Sequence, residues 1–219
     1  MDSVGRRSER IVPLYCAVRD RARVSSASAW VPTRIAELDL SPTLTTELAP
    51  LFAVFAPLNA QIAVADARIA TFVDEDPIAA RLTTAPGVGP VTASAFVATI
   101  DDITRFRTAH ELESDLGVIP SERSSGEQRQ LGHITKAGNG RMRWLLVEAA
   151  WTILRSKSAE TGALRARTVQ IAQRRGKRIA VVALARRLAG SLYAMWRDDV
   201  VYDEHRIRPR PAVAPPRAA

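Results

Sequence analysis

The stretch Leu82-Thr-Thr-Ala-Pro-Gly-Val-Gly-Pro-Val-Thr-Ala-Ser-Ala95 decides the fold class. Gly87 and Gly89 permit a tight turn, and the small residues that follow predict a helix that runs to about Ile100. The start of such a helix presents free amide N–H groups and the positive end of the helix dipole. This arrangement suits an anion, and a nucleic-acid phosphate is the first to consider.

The turn formed by Gly87, Val88 and Gly89 resembles the hairpin of helix-hairpin-helix modules. Those modules hold the nucleic-acid backbone and gain affinity without reading bases. A second interpretation stays open, in which the turn is a helix–helix connection that needs glycine for steric reasons.

Upstream of this turn, an apolar seam has the 3.5-residue spacing that is typical of a coiled coil. Its members are Leu44, Leu48, Leu51, Phe55, Leu58, Ile62, Ala65, Ile69 and Phe72. We predict a coiled-coil-like helical segment over 41–80, which is either a homo-oligomer contact through 44–72 or one amphipathic helix packed on its own domain. Pro50 and Pro57 predict that the regular helix begins after one of them or that the seam is kinked. An acidic run over 74–76 ends the segment.

Downstream, Thr108-Ala-His-Glu111 is a capping box that predicts a short helix, and Gly117 is placed to end it. A polar, basic and glycine-rich stretch follows as far as Arg143, where we expect at most a short hairpin within 118–136. Helical patterns over 144–151, 160–173 and 177–197 complete a mainly α fold with little or no sheet. The tryptophans in these helices are expected in the core, and they are Trp144, Trp151 and Trp196.

The charge is concentrated in the second part of the chain. The 219 residues include 31 Lys and Arg against 23 Asp and Glu, a net charge of +8. Residues 1–40 carry +2, residues 41–80 carry −4, and residues 81–219 carry +10. Ten basic residues lie within 155–190, where Glu160 is the single acidic residue. This balance predicts a polyanionic partner for the second half.

Several classes of protein are excluded by composition. One cysteine rules out an internal disulfide framework, and three scattered histidines rule out a standard zinc site, so no metal ligands are assigned in this chain. No apolar run reaches the roughly 20 residues of a membrane span and no signal peptide opens the chain. We expect a cytoplasmic protein without a membrane partner, with a poorly structured segment at 1–40 and a disordered tail at 204–219.

A nucleophile is conceivable in the basic stretch, where Ser124 and Ser125 precede Gly126. Cations around them would hold a phosphodiester target while the serine hydroxyl attacks it, and they are Arg123, Arg129, Lys136, Arg141 and Arg143. An ordinary Ser-Ser-Gly turn accounts for the same residues.

The order of several motifs resembles the C-terminal domain of the DEDD-type, bridge-RNA-guided insertion-sequence transposases, the insertion sequence one-ten family. The motifs are Pro86-Gly-Val-Gly-Pro90, Phe106, Leu112, Gly117-Val-Ile-Pro120, Ser125-Gly126, Ile134-Thr-Lys-Ala-Gly-Asn139, Arg143-Trp-Leu-Leu-Val-Glu-Ala-Ala150, Arg175-Gly-Lys177, Ala180-Val-Val-Ala-Leu-Ala-Arg-Arg-Leu188 and Tyr193-Ala-Met-Trp196. The resemblance spans about 82–203 and assigns 81–203 to that transposase domain. The segment over 41–80 is similar to the family's coiled-coil linker.

The resemblance implies a mechanism of DNA transposition and recombination. Ser125, with Ser124 as the alternative, takes the position of the serine that becomes joined to a 5′-phosphate of DNA. The residues implied to position DNA or a guide (bridge) RNA are Gly87, Val88, Gly89, Arg123, Lys136, Asn139, Arg141 and Arg143. In the family, a RuvC-like domain supplies four acidic residues that bind Mg²⁺ beside the serine.

The first 40 residues carry acidic side chains but no alternating apolar strands that would present them. We therefore expect a truncated, nucleoid-associated transposase that gains Mg²⁺ only with a RuvC-like partner domain. The alternative is a catalytically inactive DNA- or RNA-binding helix-hairpin-helix remnant, or an oligomerisation module.

Overall fold

The computed structural model describes residues 42–122, 131–158 and 161–203, and this part of the chain is mainly helical. The predicted segments at 1–40 and 204–219 lie outside the described residues. In chain order the described elements are α1 (Pro42–Glu75), α2 (Pro77–Leu82), α3 (Pro90–Ile100), a 3-10 turn (Ile103–Arg105), α4 (Ala109–Asp115), β1 (Pro120–Glu122), β2 (Leu131–Ile134), α5 (Gly140–Arg155), α6 (Gly162–Arg175) and α7 (Lys177–Arg197). The predicted mainly α fold is confirmed.

Helix α1 is continuous through both of its prolines, so the helix does not begin after either one. Pro50 and Pro57 each lack the amide N–H that would bond the preceding turn. The acidic run ends α1 as predicted, because Asp76 caps the next helix. Its Oδ1 accepts hydrogen bonds from the amides of Ile78 at 2.8 Å and Ala79 at 3.1 Å.

The described residues form two compact units, and the first consists of residues 42–80 and 88–101. Within it α1 packs on α3 through the C-terminal half of α1, where Ile69 and Val73 are buried. Helix α3 begins at Pro90, since proline is well suited to the first helical position, and it ends at Ile100 as the sequence predicted.

The second unit consists of residues 81–87 and the described part of 102–203. Helix α7 is its central element and packs against α4, α5 and α6. Its buried residues run from Ala180 to Met195 and are almost all apolar, which makes one side of α7 part of the core. Tyr193 is 1% exposed, and its hydroxyl donates a 2.9 Å hydrogen bond to the Phe106 carbonyl.

The capping box that starts α4 is present. The Thr108 hydroxyl accepts a hydrogen bond from the Glu111 amide at 3.2 Å. The Glu111 carboxylate reaches back to the Arg107 amide at 2.8 Å, one residue earlier than in the standard motif. Gly117 follows the helix with φ +66°, the left-handed conformation that ends many helices.

Two helices are long and apolar enough to cross a membrane by length and composition alone, Thr46–Glu75 and Lys177–Arg197. The strongest apolar window of the second is 61% buried inside the protein, which is typical of a core helix. The first is the helix that carries the 3.5-residue apolar seam.

Candidate nucleic-acid interface

A short antiparallel hairpin stands at the centre of the motif-rich region, within the range 118–136 that the sequence predicted. Pro120 of β1 pairs with Ile134 of β2, and Glu122 pairs with Leu131, with an irregular register between the two pairs. The connection between the strands contains Arg123, Ser124, Ser125 and Arg129, which lie outside the described residues. The paired strands therefore bring the two ends of the serine-bearing segment side by side.

Below the strands, two backbone segments cross in direct contact, and we call this crossing the hairpin base (residues 115–119 and 134–138). The amide of Thr135 donates to the Ile119 carbonyl at 2.9 Å, and the amide of Lys136 donates to the Gly117 carbonyl at 3.1 Å. These bonds extend the hairpin toward the start of α5. The strands are thereby fastened to the helical part of the second unit.

Two glycines make this close crossing possible. Gly117 and Gly138 have φ values of +66° and +72°, which other residues rarely adopt. A Cβ atom on Gly117 would overlap the Ala137 backbone, and one on Gly138 would overlap the Asp115 carbonyl. Gly117 and Gly138 are therefore required by backbone packing.

Arg143 closes the hairpin base from the first turn of α5. Its Nη1 donates to the Leu116 carbonyl at 3.0 Å and to the Ala137 carbonyl at 2.7 Å, so one guanidinium joins both crossing segments. The sequence placed Arg143 in the nucleic-acid interface, and the structure gives its guanidinium a bracing role. Any contact of Arg143 with nucleic acid stays a prediction.

Asn139 caps α5. Its Oδ1 accepts hydrogen bonds from the amides of Arg141 at 2.9 Å and Met142 at 3.1 Å. These bonds satisfy amides that a helix N-terminus leaves without a partner. The Gly138-Asn139-Gly140 motif is thus a turn and a cap that set the direction of α5 below the hairpin.

Two further predicted cations lie beside the hairpin base. Lys136 is exposed and adopts φ +57°, and Arg141 is half-buried on α5. Together with Arg143 they place positive charge where the chain leaves β2. An anionic ligand at this end of the hairpin would be stabilised by that charge.

The predicted turn consists of Gly87, Val88 and Gly89, and the boundary between the two units falls after Gly87. In the second unit, Gly87 has φ +74°, and a Cβ on it would lie 2.6 Å from the Ala149 carbonyl and 2.8 Å from the Ile153 Cγ1. In the first unit, Val88 is buried, while Gly89 is the N-cap of α3 and has open space around its Cα. Gly87 therefore fits the interpretation that the turn needs glycine for steric reasons. Gly89 stands at the N-terminus of α3, where the predicted anion-binding amide groups would lie.

Sequence reasoning missed the exposure of Trp144. The expected core position is wrong for this residue, whose surface is 40% exposed. Trp144, Glu148 and Thr152 recur at four-residue intervals on α5, and the last two are also exposed. The polar residues at this spacing were the sequence signal that Trp144 lies on an exposed face, because positions i and i+4 share a helix face. Trp151 and Trp196 are half-buried.

No group of three or more His, Cys, Asp or Glu side chains that would hold a metal ion occurs within 42–122, 131–158 and 161–203. The described residues therefore do not fit a metal site.

Replacing Arg143 with alanine is expected to lower the free energy of unfolding of the second unit by about 2 kcal/mol, because two carbonyls lose a charged donor. Urea denaturation followed by circular dichroism measures this. Arg155→Ala removes an exposed arginine at the other end of α5 and is the control, with an expected change below about 0.5 kcal/mol. Equal stabilities for the two variants would show that the bracing bonds contribute nothing.

Comparison with known proteins places this region in a family. A family model described as "Transposase IS116/IS110/IS902 family" matches residues 79–165, which include the hairpin base, Asn139 and Arg143. The chain is 36% identical over 146 residues to "Probable family 20 transposase" of Pseudomonas aeruginosa, covering 66% of this chain and 43% of that protein.

Two further relatives that the chain matches are also named as transposases. The chain is 34% identical over 115 residues to "Transposase for insertion sequence element IS1111A" of Coxiella burnetii, covering 52% of this chain and 32% of that protein. It is 26% identical over 168 residues to "Transposase for insertion sequence element IS1328" of Yersinia enterocolitica, covering 77% and 50%. The match thus spans about a third to a half of the length of these curated relatives.

Proposed function

We propose that this chain, whose residues 79–165 match the IS116/IS110/IS902 transposase family, cleaves and joins DNA strands through a serine nucleophile. The nucleophile is Ser125, with Ser124 as the alternative. The observation that supports this proposal most is the hairpin base, which fastens both ends of the serine-bearing connection to a helical core. A nucleophile needs such support, since small displacements cost a large part of the rate.

In the proposed step, the serine Oγ attacks a DNA phosphorus atom. A bond forms between Oγ and phosphorus, and the bond between phosphorus and the 3′ oxygen of the neighbouring nucleotide breaks. The Oγ proton passes to solvent, and the departing 3′ oxygen takes up a proton as a hydroxyl. Joining reverses the step, with a 3′ hydroxyl displacing the serine from the 5′-phosphate.

Cations beside the hairpin support this chemistry. The phosphate gains negative charge on its oxygens as the serine approaches, and positive side chains stabilise it. Lys136 and Arg141 flank the end of β2, while Arg123 and Arg129 belong to the connection itself. We assign Lys136 and Arg141, with Arg123, to phosphate binding. The wider contact with DNA or a guide RNA is assigned to Gly87, Val88, Gly89 and Asn139.

The metal ion of the proposed reaction is not assigned to this chain and is proposed to come with a RuvC-like partner domain. Mg²⁺, when bound by a RuvC-like partner domain, would activate the attacking hydroxyl and neutralise phosphate charge. This proposal places the reaction in the cytoplasm, at the nucleoid.

The test is covalent trapping. The chain is incubated with a suicide oligonucleotide whose cleaved fragment diffuses away, with Mg²⁺ and with or without a full-length family relative. We expect a protein–DNA adduct that resists denaturing electrophoresis when the relative is present. Absence of the adduct in both mixtures would contradict the serine chemistry. DNA binding without an adduct would instead assign the chain as a binding module.

We also propose that α1 joins two copies of the chain through its apolar seam. Leu51 is 61% exposed and Leu58 and Ile62 are half-buried within a single chain, so a partner helix would remove more apolar surface from water. The 3.5-residue spacing of these positions is the spacing that two-stranded coiled coils use.

Replacing Leu58 and Ile62 together with glutamate is expected to weaken this association at least about 100-fold, because each chain loses two buried apolar side chains worth about 1.5–3 kcal/mol apiece. Light scattering coupled to size exclusion measures the mass. The control is the double variant Ala56→Glu and Ala60→Glu, which adds the same charges to exposed positions of α1. A monomeric mass for the unmodified chain would refute the contact.

A further inference from the structure

The strongest unassigned feature lies where α6 meets α7. Six exposed basic side chains occur within residues 162–178, and no acidic residue interrupts them. We call this feature the α6–α7 basic surface. It consists of Arg165, Arg167, Arg174, Arg175, Lys177 and Arg178.

Within residues 42–122, 131–158 and 161–203, these charges are not compensated by carboxylates. Other arginines of the second unit pair with carboxylates, as Arg186 does with Glu113 at 2.6 Å and Arg197 with Asp198 at 2.6 Å. None of the six has an ion pair with a carboxylate among the residues that the structure describes. Neighbouring positive charges repel one another, so a surface of this kind indicates an external anion.

The arginines are also held on a firm support. Leu164 and Thr168 are the buried residues of α6, and the Thr168 hydroxyl donates a 2.7 Å hydrogen bond to the Leu164 carbonyl. This single buried stripe packs α6 on α7, while the remainder of α6 is largely exposed. The basic side chains therefore project from a helix that is fixed to the core.

The spacing favours duplex DNA. Arg167 and Arg174 are seven residues apart and share one face of α6, with the exposed Gln170 between them. Their separation along the helix axis is about 10.5 Å, close to the roughly 12 Å width of the B-DNA major groove. The major groove of A-form RNA is deep and narrow and gives less access to a helix.

We propose that the α6–α7 basic surface binds the phosphate backbone of duplex DNA without reading its bases. This inference rests on the proposed DNA-acting function and adds a second contact, on helices other than those that carry the hairpin base. Arginine and lysine contacts to phosphates position a protein on DNA and carry no sequence information directly.

The salt dependence of binding tests the proposal. Affinity of the full chain for duplex DNA of arbitrary sequence is measured between 50 and 200 mM salt. Each phosphate contact contributes about −0.9 to the slope of log affinity against log salt concentration. The variant R167Q/R174Q/R175Q/R178Q should lose about 3.6 from the magnitude of the slope, so its affinity responds roughly 100-fold less to this fourfold rise in salt.

Two control variants and one smaller test variant sharpen the result. Changing the same four arginines to lysine keeps the charge and should keep the slope. The variant R68Q/R107Q/R155Q/K157Q removes four exposed cations elsewhere and should change the slope by less than about one. The smaller variant R167Q/R174Q should lose about 1.8, and it replaces the quadruple variant if circular dichroism shows that the latter is unfolded.

The outcomes that would overturn the proposed DNA contact are distinct from one another. An unchanged slope for the folded charge-removal variant, or an equal loss in the control, overturns the proposal and leaves the serine chemistry standing. A loss seen with an RNA duplex but not with DNA overturns the choice of DNA. If the unmodified chain binds no DNA in this range, both this proposal and the DNA contact of the proposed function fail, whereas adduct formation tests the serine separately.

Discussion

Replacing Ser125 with alanine is expected to abolish the covalent protein–DNA adduct completely, because the methyl group has no oxygen to form the bond to phosphorus. Electrophoresis under denaturing conditions detects the adduct, and mass spectrometry of the digested band locates the modified residue. The reaction mixture is the one that yields the adduct with the unmodified chain.

Ser124→Ala is the matched control, since it removes the adjacent hydroxyl and leaves Ser125 in place. We expect it to retain the adduct and the DNA affinity. Loss of the adduct in Ser124→Ala and retention in Ser125→Ala would transfer the nucleophile to Ser124. Retention in both variants would exclude this pair of serines. Unchanged unfolding curves would show that neither substitution acts through stability.

Replacing Gly138 with alanine is expected to destabilise the second unit by about 3–5 kcal/mol, which lowers its melting temperature by at least about 10 °C. Two effects add. The left-handed φ of +72° costs a residue with a Cβ about 1–2 kcal/mol. The Cβ also overlaps the Asp115 carbonyl, so the crossing segments must separate.

Substitutions at two other glycines separate the contribution of backbone strain from that of steric overlap. Gly176 has φ +85° and ψ 155° but open space around it, so Gly176→Ala measures backbone strain alone, about 1–3 kcal/mol. Gly162 has neither feature, and Gly162→Ala should change stability by no more than a few tenths of a kcal/mol or increase it. Thermal unfolding by circular dichroism compares them. Equal losses at Gly138 and Gly176 would show that the hairpin base relaxes around the added methyl group.

Local elements were predictable because their causes are local. Thr108 and Glu111 encode the start of α4, Gly117 encodes its end, and the periodic apolar residues between Lys177 and Arg197 encode α7. The hairpin within 118–136 was also predicted, since polar residues and glycines separate two short segments. Each of these signals lies within a few residues of the structure that it specifies.

The roles of single residues in the candidate site were less predictable. Arg143 was grouped with its basic neighbours, yet its partners are carbonyls at residues 116 and 137. Trp144 was expected in the core by its apolar character, but its position on α5 places it at the surface. Exposure and hydrogen-bond partners depend on which segments meet in space, and residue type alone does not specify them.

The sequence by itself determined the mainly helical fold, the start and end of α4, the excess of positive charge in the second half and the resemblance to a transposase domain. These follow from residue spacing and residue identity, which act over short distances along the chain. Only the tertiary structure decided that Gly117 and Gly138 are needed for a backbone crossing and that Arg143 braces it. It also decided that the six cations of the α6–α7 basic surface lack carboxylate partners among the described residues. The physical reason is that steric overlap and ion pairing act between residues close in space, and several of these pairs lie twenty or more positions apart in the chain.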